Sequence, residues 1–598
     1  MGKGAAPANP PPPEEASSLG DPLGGERSGA PADGAQPVSP QRPAHSGDWL
    51  GAALHSRGVR TVFTLPGGQI LPLLDGLRRA GVDCVDVHHE GAAAQMAVGW
   101  TMATGRPGVA VVTAGAGFTN ALSGLADGVL GRQPLRLIAG RTDRARQGRG
   151  AVQDLDQLPV ARALGSGVSS LPPAPEAAVA DLLALWDSLD AAPPRAHYVE
   201  VTADTAWARV PSPAAPVTPA PRKRRAAPSA ESIAEAQRLL AAAQQPLVLC
   251  GSGAFWSGAG IALRRFVERT GIPAITTSAA RGLLTDRHQL ALGGLFHGAL
   301  ALPMADCVLV VGTRFDGNLL FGAEPLFPAE QRLVLVDRDP AAATGGRRPD
   351  HFVEGDAAMA LDRLSRGWGG GQMSDEWPKR AQTAVAASQE MWGVQADGHP
   401  AREGLVHPAS LARTVQTVLG HRRLTVVVDG GDILTWSLPF LEARLPGSLL
   451  TTSTTLGTVG VGLPYAIAAA LAHPDRLTVL ITGDGSLGLA AMELATAVRH
   501  GVRLLVLVSN NGSWGDVRHY QLARLGPQGV VASIFGDIRF DQLAAALGAT
   551  GVRVTDEAGL LQAVRRGAQS SGVTVVDVAT DPDVENWLME AMGTLGIM

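Results

Sequence analysis

The sequence predicts an α/β protein built as three successive doubly wound parallel-sheet domains. Three observations carry that prediction. Strand-like apolar runs alternate with amphipathic stretches along most of the 598 residues. Two compositional breaks divide the alternation into thirds. Glycine-bearing turns follow several runs, at the strand ends where such sheets bind ligands. The domains are expected at 47–210, 229–365 and 406–598, joined by linkers at 211–228 and 366–405, after a tail over 1–46.

The tail is rich in Pro, Gly, Ala and Ser and has few large apolar side chains, so it is expected to be disordered. It lacks the apolar core of a secretory signal, and its acidic residues fit poorly with an organellar transit peptide. No apolar span reaches membrane length. A soluble cytoplasmic protein is expected, with no membrane association. A net charge of −5 and a pI near 6.3 argue against a nucleic-acid partner. Cys84, Cys250 and Cys307 lie far apart in or beside apolar runs and form no metal spacing.

In the first block, Leu65-Pro66-Gly67-Gly68 comes first, and an extended segment from Cys84 to Val87 runs through His88-His89 into an Ala-rich helix. That helix carries Glu90 in its first turn. A carboxylate there is favoured by the helix dipole, which is a sufficient reason for it on residues alone. The strand Val109–Val112 leads into Ala114-Gly115-Ala116-Gly117-Phe118-Thr119-Asn120, a glycine loop opening another helix. The first linker carries the basic run Arg222 to Arg225, too short for a nucleic-acid patch and read as solvated linker.

The central block shows strands at Pro246–Leu249, Val308–Val311 and Leu333–Val336. Gly251-Ser252-Gly253-Ala254 is half of a dinucleotide fingerprint; close strand–helix packing explains it as well. Asp337 ends a strand, where an acid can bind a ribose.

The third block is the most specific. The run Thr478–Thr482 precedes Gly483-Asp484-Gly485; 24 residues then precede Asn510-Asn511, themselves preceded by Leu504–Val508. The intervening apolar residues have mostly helical spacing, so the unit reads as strand, tight turn, helix, strand. Asp484 and Asn511 would then lie side by side over a helix N-terminus. Magnesium takes oxygen ligands and is often shared with phosphates, and a glycine-flanked helix start accepts a phosphate through free amides. The unit is therefore read as a magnesium–diphosphate site. Val428-Asp429-Gly430-Gly431-Asp432 also joins a strand to a helix, with Asp432 a candidate N-cap. Leu456-Gly457-Thr458-Val459-Gly460 precedes an Ala-rich helix.

These motifs, in this order, resemble the thiamine-diphosphate-dependent enzymes over roughly residues 47–598, in the branch of acetolactate synthase large subunits and 2-hydroxyacyl-CoA lyases. The resemblance implies a pyrimidine-binding first domain, a central Rossmann-like domain and a diphosphate-binding third domain. The implied metal ligands are Asp484, Asn511 and the carbonyl of Ser513. Glu90 would activate thiamine diphosphate through its aminopyrimidine ring, with His89 orienting the loop. Further cofactor contacts are implied for Pro66, Gly67, Asn120, Gly431, Asp432, Gly483, Gly485 and Ser486. Gly457 would accept a hydrogen bond through its carbonyl, and Val459 would wedge the cofactor into its bent form. The central domain of some relatives holds FAD or another adenine nucleotide. A homodimer or homotetramer with shared active sites is implied.

The implied reaction is C–C bond cleavage and carboligation on a 2-oxo acid. Two departures weigh against true acetolactate formation. Gly317-Asn318 follow Arg314-Phe315-Asp316 where the synthase has Asp-Arg, and Tyr520 stands where its active-site Trp is expected. Gln153-Asp154-Leu155-Asp156-Gln157 and Asp429-Gly430-Gly431-Asp432 look instead like the 2-hydroxyacyl-CoA lyases, which cleave a 2-hydroxyacyl-CoA to an aldehyde and formyl-CoA, and like acetolactate-synthase-like proteins of that branch. A catalytically silent partner subunit is the remaining alternative, opposed by the presence of Glu90, Asp484 and Asn511 together.

Overall fold

The computed structural model describes residues 43–588 except 221–224, 345 and 453–454. Most of the expected disordered tail (1–42) and most of the basic run therefore lie outside the described residues. The end of that expected tail is already structured: His45 bridges to Arg209 and Ser46 begins the helix Ser46–Ser56.

Three all-parallel sheets follow one another along the chain, as the alternation of runs predicts. The first contains β1 (Thr61–Leu65), β2 (Asp83–Asp86), β3 (Val109–Val112), β4 (Arg136–Arg141), β5 (Gly167–Ser170) and β6 (His197–Thr202), in the order β2-β1-β3-β4-β6-β5. The second contains β7 (Pro246–Cys250), β8 (Ala274–Thr276), β9 (Cys307–Val311), β10 (Arg332–Asp337) and β11 (His351–Glu354), ordered β11-β10-β9-β7-β8. The third contains β12 (Leu424–Asp429), β13 (Leu449–Thr451), β14 (Leu477–Gly483), β15 (Leu504–Asn510), β16 (Thr550–Val554) and β17 (Val573–Ala579), ordered β13-β12-β14-β15-β17-β16. The first and third sheets thus share one topology. In each, the strand order reverses between the first and third strands of the domain, which opens a crevice at their carboxyl ends.

Helices cover both faces, so the central strands are apolar throughout. Val479, Leu480 and Ile481 on β14 and Leu505 to Val508 on β15 are fully buried, each worth about 1.5–3 kcal/mol of transfer free energy. One core runs through the first and third domains together, from Ala93, Ala97 and Phe118 to Val461, Ala466, Leu480 and Val506. Its centre is the packing of helix Glu90–Thr104 on helix Gly462–Ala472. A Cβ on Gly99 would stand 2.6 Å from the Tyr465 Cα, so only glycine lets the two backbones approach this closely. Beside it the Tyr465 hydroxyl donates to the buried Asp127 carboxylate.

The stretch 366–405 differs from the linker expected there. It carries a 22-residue helix, Trp377–Gly398. The buried Trp377 indole donates to the Pro246 carbonyl at 2.7 Å, and Trp392 stacks edge-on against Trp436 of the third domain. In the central sheet, the Gly253 amide donates to the Gly312 carbonyl at 2.8 Å, and a Cβ on Gly251 would lie 2.3 Å from the Thr313 Cβ. Close packing therefore accounts for that glycine pair. Cys250 and Cys307 are buried, Cys84 is partly so, and all three are free thiols. Among the described residues no helix is long and apolar enough to cross a membrane.

Candidate active site

The crevice of the first sheet gathers the glutamate cluster. β1 ends at Leu65, leaving Pro66 exposed and Gly67 packed so tightly that its Cβ would lie 2.3 Å from the Thr113 hydroxyl. Glu90 is the first residue of its helix and only 6% exposed. His89 caps that helix: its Nδ1 accepts the Gly91 amide at 3.0 Å, so the proton of a neutral ring lies on Nε2. Asn120, one turn into the helix that begins after Gly115, donates its amide to Glu90 Oε2 at 3.0 Å. Gly115 takes a left-handed φ of 59°, and its amide donates at 2.8 Å to Gln157, whose own amide donates to Gly140 O and the Tyr198 hydroxyl. A buried, fully satisfied glutamine thus holds the glycine loop.

The crevice of the third sheet gathers the carboxylate turns. Gly483 ends β14 and Asp484 begins the next helix, 3% exposed. Its Oδ1 accepts the Gly485 amide at 2.8 Å and its Oδ2 the Gly512 amide at 2.7 Å. These bonds tie the tips after β14 and β15 together. Burial outweighs the amides and pushes the Asp484 carboxyl up to about 6. No described cationic side chain pairs with it, and a buried carboxylate of that kind fits a hard divalent cation. Asn511 lies in the adjoining tip, where its Oδ1 accepts the amide and hydroxyl of Ser513 at 3.1 and 3.0 Å. Asn510 instead serves the sheet, donating to Asp577 and to the Ile538 carbonyl. Ser486 is buried and faces the turn after β12: a Cβ on Gly430 would lie 3.4 Å from its hydroxyl.

That turn places Gly431 at the cap of helix Asp432–Ser437, with Asp432 its first residue rather than its N-cap. Burial raises the Asp432 carboxyl, the nearby Asp516 adds to the rise, and Asn586 donates to Oδ1 at 3.1 Å. Gly457 is exposed at φ 69°, and Val459 is half-buried in the same loop. The loop is anchored by Asp429, whose carboxylate accepts the Gly460 amide at 3.0 Å and the Gly462 amide at 2.7 Å; complete burial pushes that carboxyl up to about 7. Sequence reasoning assigned no such anchor to Asp429 or Gln157. The signal for Asp429 was an acid directly terminating an apolar strand.

The single helix expected between β14 and β15 is two, Asp484–Ala490 and Glu493–Arg499, parted at Ala491-Met492. Among the described residues, no hydrogen bond or ion pair joins the Glu90–Asn120 cluster to Asp484 or Asn511 within one chain. In the central domain, Asp337 Oδ1 accepts the Asp339 amide of its own turn at 2.8 Å. Tyr520 is 40% exposed on helix Gly515–Leu525, and its ring lies beside Arg524.

Three family descriptions match this chain. The N-terminal TPP binding domain of thiamine pyrophosphate enzymes matches residues 45–160, the central domain of the same enzymes 233–364, and their C-terminal TPP binding domain 429–578. A probable acetolactate synthase of Mycobacterium bovis is 32% identical over 92% of this chain and 98% of its own length. The acetolactate synthase isozyme 2 large subunit of Escherichia coli is 29% identical over 90% and 96%. A 2-hydroxyacyl-CoA lyase of Arabidopsis thaliana is 28% identical over 74% and 78%.

Proposed function

We propose that this chain, which belongs to the thiamine pyrophosphate enzymes, is an acetolactate-synthase-like lyase and carboligase that decarboxylates a 2-oxo acid and passes the acyl group to an acceptor. One observation carries the reading. A buried carboxylate stands at each of two topologically equivalent crevices, Glu90 against Asn120 and Asp484 between two backbone amides. Thiamine diphosphate, when bound, supplies the electron sink for breaking the bond beside the substrate carbonyl. Asp484, Asn511 and the Ser513 carbonyl would hold magnesium, with Gly431, Asp432, Gly483, Gly485 and Ser486 around the diphosphate.

Glu90 would hold a proton against the pyrimidine ring, where its burial and the Asn120 amide fix the carboxylate for general acid–base work. Pro66 and Gly67 would border the ring, and Gly457 and Val459 would set its angle to the thiazole. Among the described residues no hydrogen bond or ion pair joins the two clusters directly; a homodimer, or a dimer of dimers, in which Glu90 of one subunit serves the Asp484 of another accompanies this reading, as the resemblance implies. A cytoplasmic location accompanies this reading.

Gln153 to Gln157 and Asp429 to Asp432, together with the lyase relatives, support one second reading, cleavage of a 2-hydroxyacyl-CoA to an aldehyde and formyl-CoA, while Gly317-Asn318 and Tyr520 weigh against acetolactate formation. Purified protein with thiamine diphosphate and magnesium should release carbon dioxide from pyruvate, faster with added aldehyde or 2-oxo acid. Formyl-CoA from a 2-hydroxyacyl-CoA, with pyruvate untouched, would transfer the assignment to the lyase. Inactivity across both panels would sink both.

A further inference from the structure

The loop that delivers Glu90 is held by the third domain of its own chain. β2 ends at Asp86, and Val87-His88-His89 carries the backbone to the helix that starts at Glu90. A tight hydrogen-bonded ring meets this loop from helix Glu493–Arg499. The His88 amide donates to Glu493 Oε1 at 3.0 Å. The Thr496 hydroxyl donates to Glu493 Oε2 at 2.6 Å, which commits its only proton. The contact of 3.0 Å between Thr496 Oγ1 and His88 Nδ1 must then be a bond donated by the imidazole. Glu493 is 2% exposed and Thr496 fully buried, whereas the His88 ring is partly open to solvent. One turn on, Asp86 accepts from His500 at 2.9 Å and pairs with Arg499 at 3.0 Å, closing the far side of the loop.

We propose that Glu493 is a positioning residue for the Glu90 loop: through His88 and Thr496 it sets where the carboxylate stands. The inference rests on the role proposed above for Glu90. A carboxylate is suited to the task because it accepts two donors at once, from a backbone amide and a hydroxyl, and charge-assisted bonds of this kind are the stronger ones. Buried and fully satisfied, such a ring specifies one loop geometry. Helix Glu493–Arg499 follows the Asp484 helix after a two-residue break. The helix that braces the loop of the activating acid is therefore the next one along the same chain after the helix that begins at the candidate cation ligand.

The test uses Glu493→Ala, Glu493→Gln and Thr496→Val in the full-length protein. In the cofactor-free state, amide hydrogen exchange of residues 86–96 should quicken at least about tenfold in Glu493→Ala, while β14 and β15 keep wild-type protection. Glu493→Gln retains the acceptor for the His88 amide and should stay within roughly threefold of wild type. With cofactor and magnesium bound, exchange of the thiazolium C2 proton should slow at least about tenfold in Glu493→Ala, with rescue by Gln, at a cofactor affinity changed less than about threefold. Thr496→Val, close to isosteric, should shift both readouts in the same direction by a smaller factor and stands in should the alanine variant fail to fold. Unchanged protection at 86–96, loosening spread evenly over the third-domain core, or unchanged C2 exchange with a loosened loop would each overturn the proposal. Glu90→Gln separates the two levels: if it leaves C2 exchange at the wild-type rate, the role of Glu90 itself falls, whereas a slow Glu90→Gln beside a normal Glu493→Ala removes only the brace.

Discussion

Replacing Asp484 by Asn should alter the cation-free protein in a way that depends on pH. The carboxyl is raised from its ordinary 3.8 to about 6, by burial first and despite four backbone amides. That rise disfavours the ionised form by about 3 kcal/mol. The folded value lies above the unfolded one, so the contribution of this residue is intact below pH ~4 and is lost as pH rises through ~6. Asn is neutral throughout. Its packing cost, with an NH2 turned towards the Gly485 or Gly512 amide, is constant with pH and cancels from a comparison across pH. Between pH ~4.5 and ~7.5 the stability of the variant relative to wild type should therefore rise by about 2 kcal/mol. Urea unfolding in excess chelator at the two pH values measures this directly. Thiamine diphosphate and magnesium at about 100 times their dissociation constants should stabilise wild type by about 2.7 kcal/mol at pH ~7.5. The variant should lose that gain. Parallel unfolding curves at both pH values would refute the burial argument, and an undiminished response to magnesium would refute the ligand assignment.

Two further outcomes are expected. Glu90→Gln should bind the cofactor with near-wild-type affinity yet lose about 10²–10⁴-fold in kcat, since it retains shape and hydrogen bonding without a transferable proton; steady-state kinetics at wild-type rates would end its assigned role. Gly99→Ala places a methyl 2.6 Å from the Tyr465 backbone, which has no room to retreat, and should cost about 1–3 kcal/mol. A wild-type urea midpoint would show that the two helices are not in rigid contact.

Much of the architecture was legible because buried parallel strands leave apolar runs, as β3, β7, β9, β10, β12, β14, β15 and β17 do. Most of the strands that escaped detection are short or carry charge inside; β1, as long as β7, has Thr61 and Thr64 breaking its apolar run. β4 sits mid-sheet yet bears Arg136 and Arg141, and β6 bears His197 and Glu200, all buried. Arg136 is made tolerable by donating to the Leu135 and Arg195 carbonyls at 3.3 and 2.8 Å and by lying over Trp186. Such compensation is tertiary and leaves no local pattern. The split after Asp484 was likewise hidden, since Leu487, Leu494 and Val498 keep helical spacing across it. At the site, motifs with a chemical reason for each residue type were readable: Gly483-Asp484-Gly485, Asn511, Glu90 and the glycine loop before Asn120. Residues acting as anchors at long sequence separation, such as Gln157 on Gly115, Asp429 on Gly460 and Glu493 on His88, became visible only once the chain was folded.

The seam at Gly99 and Tyr465 has a consequence for any attempt to cut the chain. The outer thirds share one body, because the Ala-rich helices at their junction are largely apolar and bury against each other as well as against their own sheets. A fragment stopping before residue 406 would bare the flank of helix Glu90–Thr104 and precipitate rather than fold. The middle third has an interior of its own between Ile233 and Leu364, but His297 donating to the Pro439 carbonyl at 2.8 Å and Gly282 pressed against Leu445 bind it to the last third, so an exchange would have to keep those contacts.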